Sequence, residues 1–380
     1  MKKTIKKLLL LLSILSVVFM LSACRDSVVS DDADGPINLG VLLPTTGAQA
    51  YFGFDMNNAH TLAVEQINAA GGVLGRQFFL LPVSDDGCDP MMAAQAATLI
   101  SSSEAHFVVG GYCSGATIAA LQEFYDNNLI MLISASNSTR ITEMDLNQSF
   151  MLNSPGTHQI DKLVDIIHHL GVSDVAVIHQ GDDFTQNLSD ISNDKLPAAN
   201  INIATTQVME IGVPDASAIV TAIRNAGAEL VFWAGYFADG GNIIRQLRQG
   251  GFDGYIVTAD GATSIELIHA AGPAGEGVLA LSPPAAQFAP GGADFEAAFV
   301  ERFNTEPGAF APLAYDTIFV LAAAIEAAGT TEFTAVRNAL QNLDYQAMTG
   351  RIIFTPDREL RYSNFLVLEI RDGEFHLFDF

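Results

Sequence analysis

Short apolar runs alternate with longer segments of helical period along most of the chain. Ile37–Leu43 (INLGVLL) is one such run, and it stops at Pro44, which predicts a strand. Residues 57–70 carry Ala59, Leu62, Ala63, Ile67 and Ala70 near helical spacing, and Gly71-Gly72 closes that helix. The same alternation predicts strands at 78–83, 107–110 and 130–133, with helices at 91–101 and 116–127. A second series predicts helices at 159–170, 188–196, 216–226, 241–249 and 263–270, and strands at 175–179, 203–208, 230–233, 255–258 and 278–281. The C-terminal part predicts a long helix at 315–328, a short one at 335–343, and strands in RIIF, FLVLEI and EFHLFDF. Strand–helix alternation of this kind predicts parallel sheets covered by helices on both faces, here as two α/β lobes.

In open sheets of this class, ligands bind beyond the carboxyl ends of the strands. The segments there are PTTGAQAYFG (44–53), GYCSGAT (111–117), SASNST (134–139), HQGDDF (179–184), GYFADGG (235–241) and ADGAT (259–263). They are rich in Ser, Thr, Gly, Asn and aromatic residues and poor in His and Lys, the composition of a neutral hydrogen-bonding cleft with an aromatic wall. No phosphate-binding glycine loop follows a strand. Ser114 does not sit in a nucleophile elbow, because Ala116 stands where the last Gly is required. His168 and His169 are neighbours on a helix and face apart, so they cannot share a metal. The pairs Asp85-Asp86 and Asp182-Asp183 read more simply as loop or cap residues than as catalytic acids. No catalytic, metal or cofactor site emerges, and no enzyme is expected.

With 380 residues, of which 49% are hydrophobic and 16% charged, the chain can bury a large core and make two or three domains. The formal net charge of -25 excludes a phosphate-neutralising nucleic-acid binder and opposes anionic lipid surfaces. Membrane attachment would need another device, and the N-terminus resembles one. Lys2, Lys3, Lys6 and Lys7 precede an apolar stretch at 8–21, which ends in Leu21-Ser22-Ala23-Cys24. This resembles a bacterial lipoprotein signal, which implies removal of 1–23 and a diacylglycerol on Cys24; more than one acyl chain makes such an anchor stable. Residues 24–36 are polar and acidic and read as a flexible tether. With Cys24 given to lipid, Cys88 and Cys113 remain. An even pair in an exported chain suggests a disulfide closing about 25 residues, worth roughly 3 kcal/mol, with two buried free thiols as the alternative.

At the strand ends the chain resembles the leucine/isoleucine/valine-binding protein family, extracytoplasmic receptors that deliver amino acids to ABC importers. DDGCDP with GYCSGAT carries the resemblance most specifically. GVLLPTTGAQAYFG, VEQINAAGGVLGR, GYFADGGNIIRQLRQGG, AYDTIFVLAAAIEAAG and GRIIFTPDRE extend it over most of the mature chain. The resemblance implies a type I periplasmic-binding fold: two Rossmann-like lobes with parallel central sheets, joined by three hinge crossings. Lobe one would hold 37–155 plus 283–362, and lobe two 156–282 plus 363–380. It implies a monomer that works with an ABC permease and ATPase, without cofactor, metal or nucleic acid.

Carried over residue by residue, the carboxylate clamp falls on Ser114 and on Ala135, Ser136 and Asn137. The plainer alternative is that Ser114 and Asn137 only cap helices. Asn137 departs from the Thr expected there. The ammonium partner falls on Asp260-Gly261, where the acid is one methylene shorter than the expected Glu, and where an ordinary turn is the alternative. Tyr236 would lie over the cation or donate its hydroxyl. Phe52, Tyr112 and Phe184 fall on further pocket positions, and Phe52 and Phe184 lack an expected hydroxyl. The drier wall favours a branched-chain or other apolar amino acid. An amide, urea or aromatic carboxylate ligand, or a role as a sensor, stand as alternatives.

Overall fold

The structure, a computed structural model, describes residues 35–380. The expected signal peptide, Cys24 and all but the last residues of the tether lie outside the described residues. The chain begins with β1 (Ile37–Leu43), α1 (Ala50–Ala69), β2 (Phe78–Leu80), β3 (Ser84–Asp85), α2 (Pro90–Ser101) and β4 (Phe107–Gly110). It continues with α3 (Ser114–Asp126), β5 (Ile130–Ile133), α4 (Arg140–Glu143) and β6 (Ser149–Met151). The strands form one parallel sheet in the order β2-β1-β4-β5-β6, with β3 also on β1.

The second series is α5 (Gly156–Leu170), β7 (Asp174–His179), α6 (Asp183–Ala198), β8 (Asn202–Val208), α7 (Ser217–Ala226) and β9 (Leu230–Ala234). Then come α8 (Phe237–Gln249), β10 (Tyr255–Thr258), α9 (Ile265–Ala271) and β11 (Leu279–Ser282). The chain returns to the first lobe through α10 (Gly292–Phe303), α11 (Ala311–Ala328), α12 (Phe333–Gln341) and the hairpin β12 (Tyr345–Ala347)–β13 (Gly350–Ile352). It ends on β14 (Leu366–Arg371) and β15 (Glu374–Leu377). The second sheet runs β15-β14-β11-β10-β9-β7-β8, parallel except for its last two strands.

Both sheets therefore show the same doubly wound order, with the strand direction of travel reversing beside β1 and β4 in one and beside β7 and β9 in the other. The crevice that binds ligands in such folds opens at that reversal. The segments after these four strands carry Phe52, Tyr112, Phe184 and Tyr236, so topology alone brings the four rings towards one place. The chain crosses between the sheets three times. Two crossings are tied together, since Ser154 Oγ donates to Asn364 Oδ1 at 2.6 Å and Asn364 N donates back to Ser154 Oγ at 2.9 Å.

The helices start earlier than their apolar period suggests. α1 begins at Ala50 rather than 57, α6 at Asp183 rather than 188, and α8 at Phe237 rather than 241. The first turns mix polar and small residues with aromatics (Tyr51, Phe52 and Phe54 in α1, Phe184 in α6, Phe237 in α8), so they show no apolar period. Gly53 permits the early start of α1: a Cβ there would lie 1.6 Å from the Pro44 carbonyl oxygen. The strand expected at 78–83 ends at Leu80, and a separate two-residue strand, β3, follows at Ser84–Asp85. Five elements, β3, α4, β6, α10 and β12, have no counterpart in the sequence pattern; β6 is a short run inside a mixed segment.

Among the described residues one helix, α11, is long and apolar enough to cross a membrane. It is a core helix here. It packs on α1, and its Asp316 is buried and accepts from Thr349 N (2.7 Å) and Thr349 Oγ1 (2.6 Å). A second buried polar set joins the same layers: His60 Nε2 lies 3.3 Å from Ser134 Oγ, which lies 2.9 Å from Thr317 Oγ1. Burial pushes His60 down to about 3, so it is neutral at ordinary pH, and full burial removes it from any contact with solvent or substrate.

Candidate ligand-binding site

The site is built from first turns. Each of β4, β7 and β9 runs within a few residues into a helix N-terminus, whose leading N–H groups have no acceptor inside the helix. α3, α6 and α8 thus point positive dipole ends at the crevice. Gly110 (φ 118°) and Gly111 (φ 77°) make the turn out of β4, and a Cβ on Gly110 would lie 2.3 Å from Leu42 O.

A cavity of about 10 Å³ lies between the lobes, lined by Tyr112, Ala135, Asn137, Phe184, Tyr236, Asp260, Gly261 and Phe310. All but Phe310 are positions that the sequence singled out. Phe52 stands behind the wall, stacked on Tyr112 at 4.9 Å and edge-on to Phe310 at 5.2 Å. It also borders a larger groove of about 560 Å³ between Tyr51, Ile265, Gly308 and Phe375. Tyr236 is held by its backbone: its N–H donates to Gln180 Oε1 at 2.7 Å and its carbonyl accepts from Trp233 Nε1 at 3.2 Å.

Ser114 and Ser136 are buried but do not line the cavity. Ser114 Oγ accepts from Ser138 N at 3.3 Å, which leaves its own proton free to donate. Ser136 Oγ lies 2.7 Å from Thr117 Oγ1. Neither Ser114 nor Asn137 caps a helix: the cap positions of α3 and α4 are Cys113 and Thr139. The helix after Asn137 has only four residues, so its dipole adds little.

Asp260 is the electrostatic centre. It is fully buried at the end of β10, in a short 3-10 turn. Its Oδ2 accepts from Asn137 Nδ2 at 2.9 Å and Asn153 Nδ2 at 3.0 Å, and its Oδ1 accepts from Gly261 N at 3.0 Å. Gln159 Oε1 accepts from its N–H at 3.4 Å. Burial pushes its pKa up to about 6, against the pull of these donors. No Lys, Arg or His is among the residues lining the cavity. The two unusual residues are thus partners: the Asn137 amide spans the short reach of Asp260. Asp260 and Asp182 also push the Tyr112 and Tyr236 phenols well above their usual range after burial has done most.

Asn153, Gln159 and Phe310 escaped the sequence reading. The first two come from the crossing after β6 and the start of α5, where no strand-end rule applies. Phe310 precedes α11, whose apolar run begins later in the pattern. The first lobe also grips α6 directly. Asn187 Oδ1 accepts from Thr139 N at 3.1 Å, and Arg140 pairs with Asp183 (3.3 Å) and Asp190 (2.8 Å).

Residues 36–374 match the family model described as Periplasmic binding protein. A relative from Pseudomonas aeruginosa, named Amino acid binding protein, is 30% identical over 99% of this chain and 99% of its own length. Another from the same organism, the Leucine-, isoleucine-, valine-, threonine-, and alanine-binding protein, is 28% identical over 88% of this chain and 89% of its own. The leucine binding protein of Thermotoga maritima shares the fold with a TM-score of 0.83, at 24% identity over 90% of this chain and 98% of that one. So does an ABC transporter solute binding protein from R. palustris in complex with benzoate, with a TM-score of 0.80 at 17% identity over 90% and 95%.

Proposed function

The chain belongs to the periplasmic binding protein family, and from that premise we propose that it binds an amino acid between its lobes for an ABC importer. One observation carries the choice of ligand. Asp260 is a fully buried carboxylate, its pKa raised to about 6, in a cavity lined by no cation. Such a charge is costly until a partner of opposite sign arrives. An ammonium group supplies it, and one acceptor direction of the carboxylate remains after its three hydrogen bonds. The carboxylate end of a zwitterion would meet the first N–H groups of α3, the Ser114 hydroxyl and the loop from Ala135 to Asn137. An aromatic carboxylate without an amine would place a second negative charge beside Asp260, so the benzoate seen in the R. palustris protein is a poor guide here.

The reading takes 37–155 plus 283–362 as one lobe and 156–282 plus 363–380 as the other, closing about the tied crossings. The reading includes export, a lipid anchor at Cys24, a monomer without catalysis, and delivery to a permease and ATPase. Titration calorimetry of the purified protein against the common L-amino acids tests it. At least one should bind far more tightly than millimolar; none doing so overturns the assignment.

A pH dependence follows. Asp260 must be ionised to hold an ammonium, and its pKa lies near 6. The ionised fraction, and with it affinity, should fall about tenfold from pH 7.5 to pH 5. Flat affinity across that range would remove Asp260 from the contact.

A further inference from the structure

We propose that Ser138, Thr139 and Arg140 form a latch between the lobes, and that Arg140 sets how long a ligand stays without touching it. The inference rests on the reading of two lobes that close over an amino acid, and adds the contact that keeps them shut. Residues 137–140 are one continuous strip of the first lobe, between β5 and β6, and every residue of the strip bonds to the second lobe. Asn137 reaches Asp260. Ser138 Oγ donates to Asp183 Oδ1 at 3.3 Å. Asn187 holds Thr139 twice: Oδ1 accepts from Thr139 N at 3.1 Å, and Nδ2 donates to Thr139 Oγ1 at 2.9 Å. Arg140 spans two carboxylates, with Nη1 3.3 Å from Asp183 Oδ1 and Nη2 2.8 Å from Asp190 Oδ2.

The partners fit one face of one helix. Asp183, Asn187 and Asp190 are spaced i, i+4 and i+7, so they form a single polar stripe along α6. The stripe carries two negative charges in a chain of formal net charge -25, and the guanidinium is the group that offsets them as the lobes meet. The approach is close beside it: a Cβ on Gly115, in the first turn of α3, would lie 3.3 Å from Asp183 Cβ. Ser138, Thr139 and Arg140 do not line the cavity that holds Asp260. These bonds join protein to protein, so they favour the closed arrangement by the same amount for every ligand. The Arg140 side chain is about one-third exposed, so its ion pairs are open to screening by salt.

Arg140→Gln keeps most of the length and removes the charge. In stopped-flow measurements, L-alanine and L-leucine should both leave this variant about threefold to tenfold faster than the parent, by the same factor. The gap from the parent should narrow in about 1 M NaCl. The melting temperature should stay within about 2 °C, which separates a latch from a fault in folding. Asp190→Asn should also speed release, and the double variant should add little to the larger single effect. An unchanged release rate in Arg140→Gln overturns the latch and leaves the zwitterion reading standing. A factor that differs widely between alanine and leucine also overturns it, because Arg140 would then touch the ligand. If neither amino acid binds, the zwitterion reading fails, and small-angle X-ray scattering of the ligand-free proteins decides the latch: a larger radius of gyration for Arg140→Gln supports it, and equal radii overturn it.

Discussion

Asp260→Ala should abolish binding of ammonium-bearing ligands, with an affinity loss of a hundredfold or more. Removing one partner of a buried, hydrogen-bonded charge pair costs about 2–5 kcal/mol, and roughly 3 kcal/mol is already more than a hundredfold. The fold should survive, and the reason is the sign of the pKa shift. The folded pKa is about 6, against 3.8 for an ordinary aspartate. Between those values the folded form holds the proton more tightly than the unfolded chain. Stability from this group is therefore greatest below the lower value and falls as pH rises through the window. Above about pH 6 the unliganded protein carries a penalty of roughly 3 kcal/mol at about 1.36 kcal/mol per unit. Asp260→Asn removes that charge while keeping the shape that Asn137 and Asn153 pack against. At pH 8 its melting temperature should equal or exceed that of the unliganded parent, while calorimetry finds no tight amino-acid binding. An Asn variant that binds as tightly as the parent would show that the acid does not hold the amine.

Cutting the Cys88–Cys113 disulfide should be the most damaging small change to stability. The bond joins residues 25 apart in sequence, with their Cα atoms 5.3 Å apart. Closing that loop restricts the unfolded chain by about 3 kcal/mol. Cys88 itself has φ 55°, a left-handed conformation that a side chain adopts only under constraint, and Gly87 before it has φ 54°. Cys113 is the residue just before α3, so the bond also pins the start of the helix that carries Ser114. Cys88→Ser with Cys113→Ser should lower the melting temperature by roughly 4 °C, taking about 2.1 cal/mol/K per residue over the folded part. Ligand affinity should drop with it, because the turn at 85–89 no longer holds α3. An unchanged melting temperature would show that the surrounding hydrogen bonds, such as Asp85 Oδ1 from Thr45 N at 2.7 Å and Gly87 N at 3.0 Å, suffice without the bond.

The strands were the most legible part. Phe107–Gly110, Ile130–Ile133 and Tyr255–Thr258 have the bounds that the apolar pattern predicts, because a buried parallel strand is apolar on both faces and shows as a continuous run. Helix starts were less legible, since the first turns of α1, α6 and α8 mix aromatic, polar and small residues without an apolar period. The pairing of Cys88 with Cys113 could be expected from their number in an exported chain.

The chain order of strands and helices, and the residue types that end each strand, were set by local sequence. A buried strand must be apolar, and a doubly wound sheet opens its crevice just beyond the strands, so the segments that hold Tyr112, Phe184, Tyr236 and Asp260 could be marked without coordinates. Tertiary structure alone decided which of them meet. The bond between Asn137 and Asp260 joins residues 123 apart. Asn153, Gln159 and Phe310 reach the same place from the crossing after β6, the first turn of α5 and the residue before α11, outside the strand-end segments that the sequence pattern marks. Such contacts depend on how two separately folded sheets are turned about their shared crossings, and that angle is a property of the packed whole, which no stretch of residues encodes by itself.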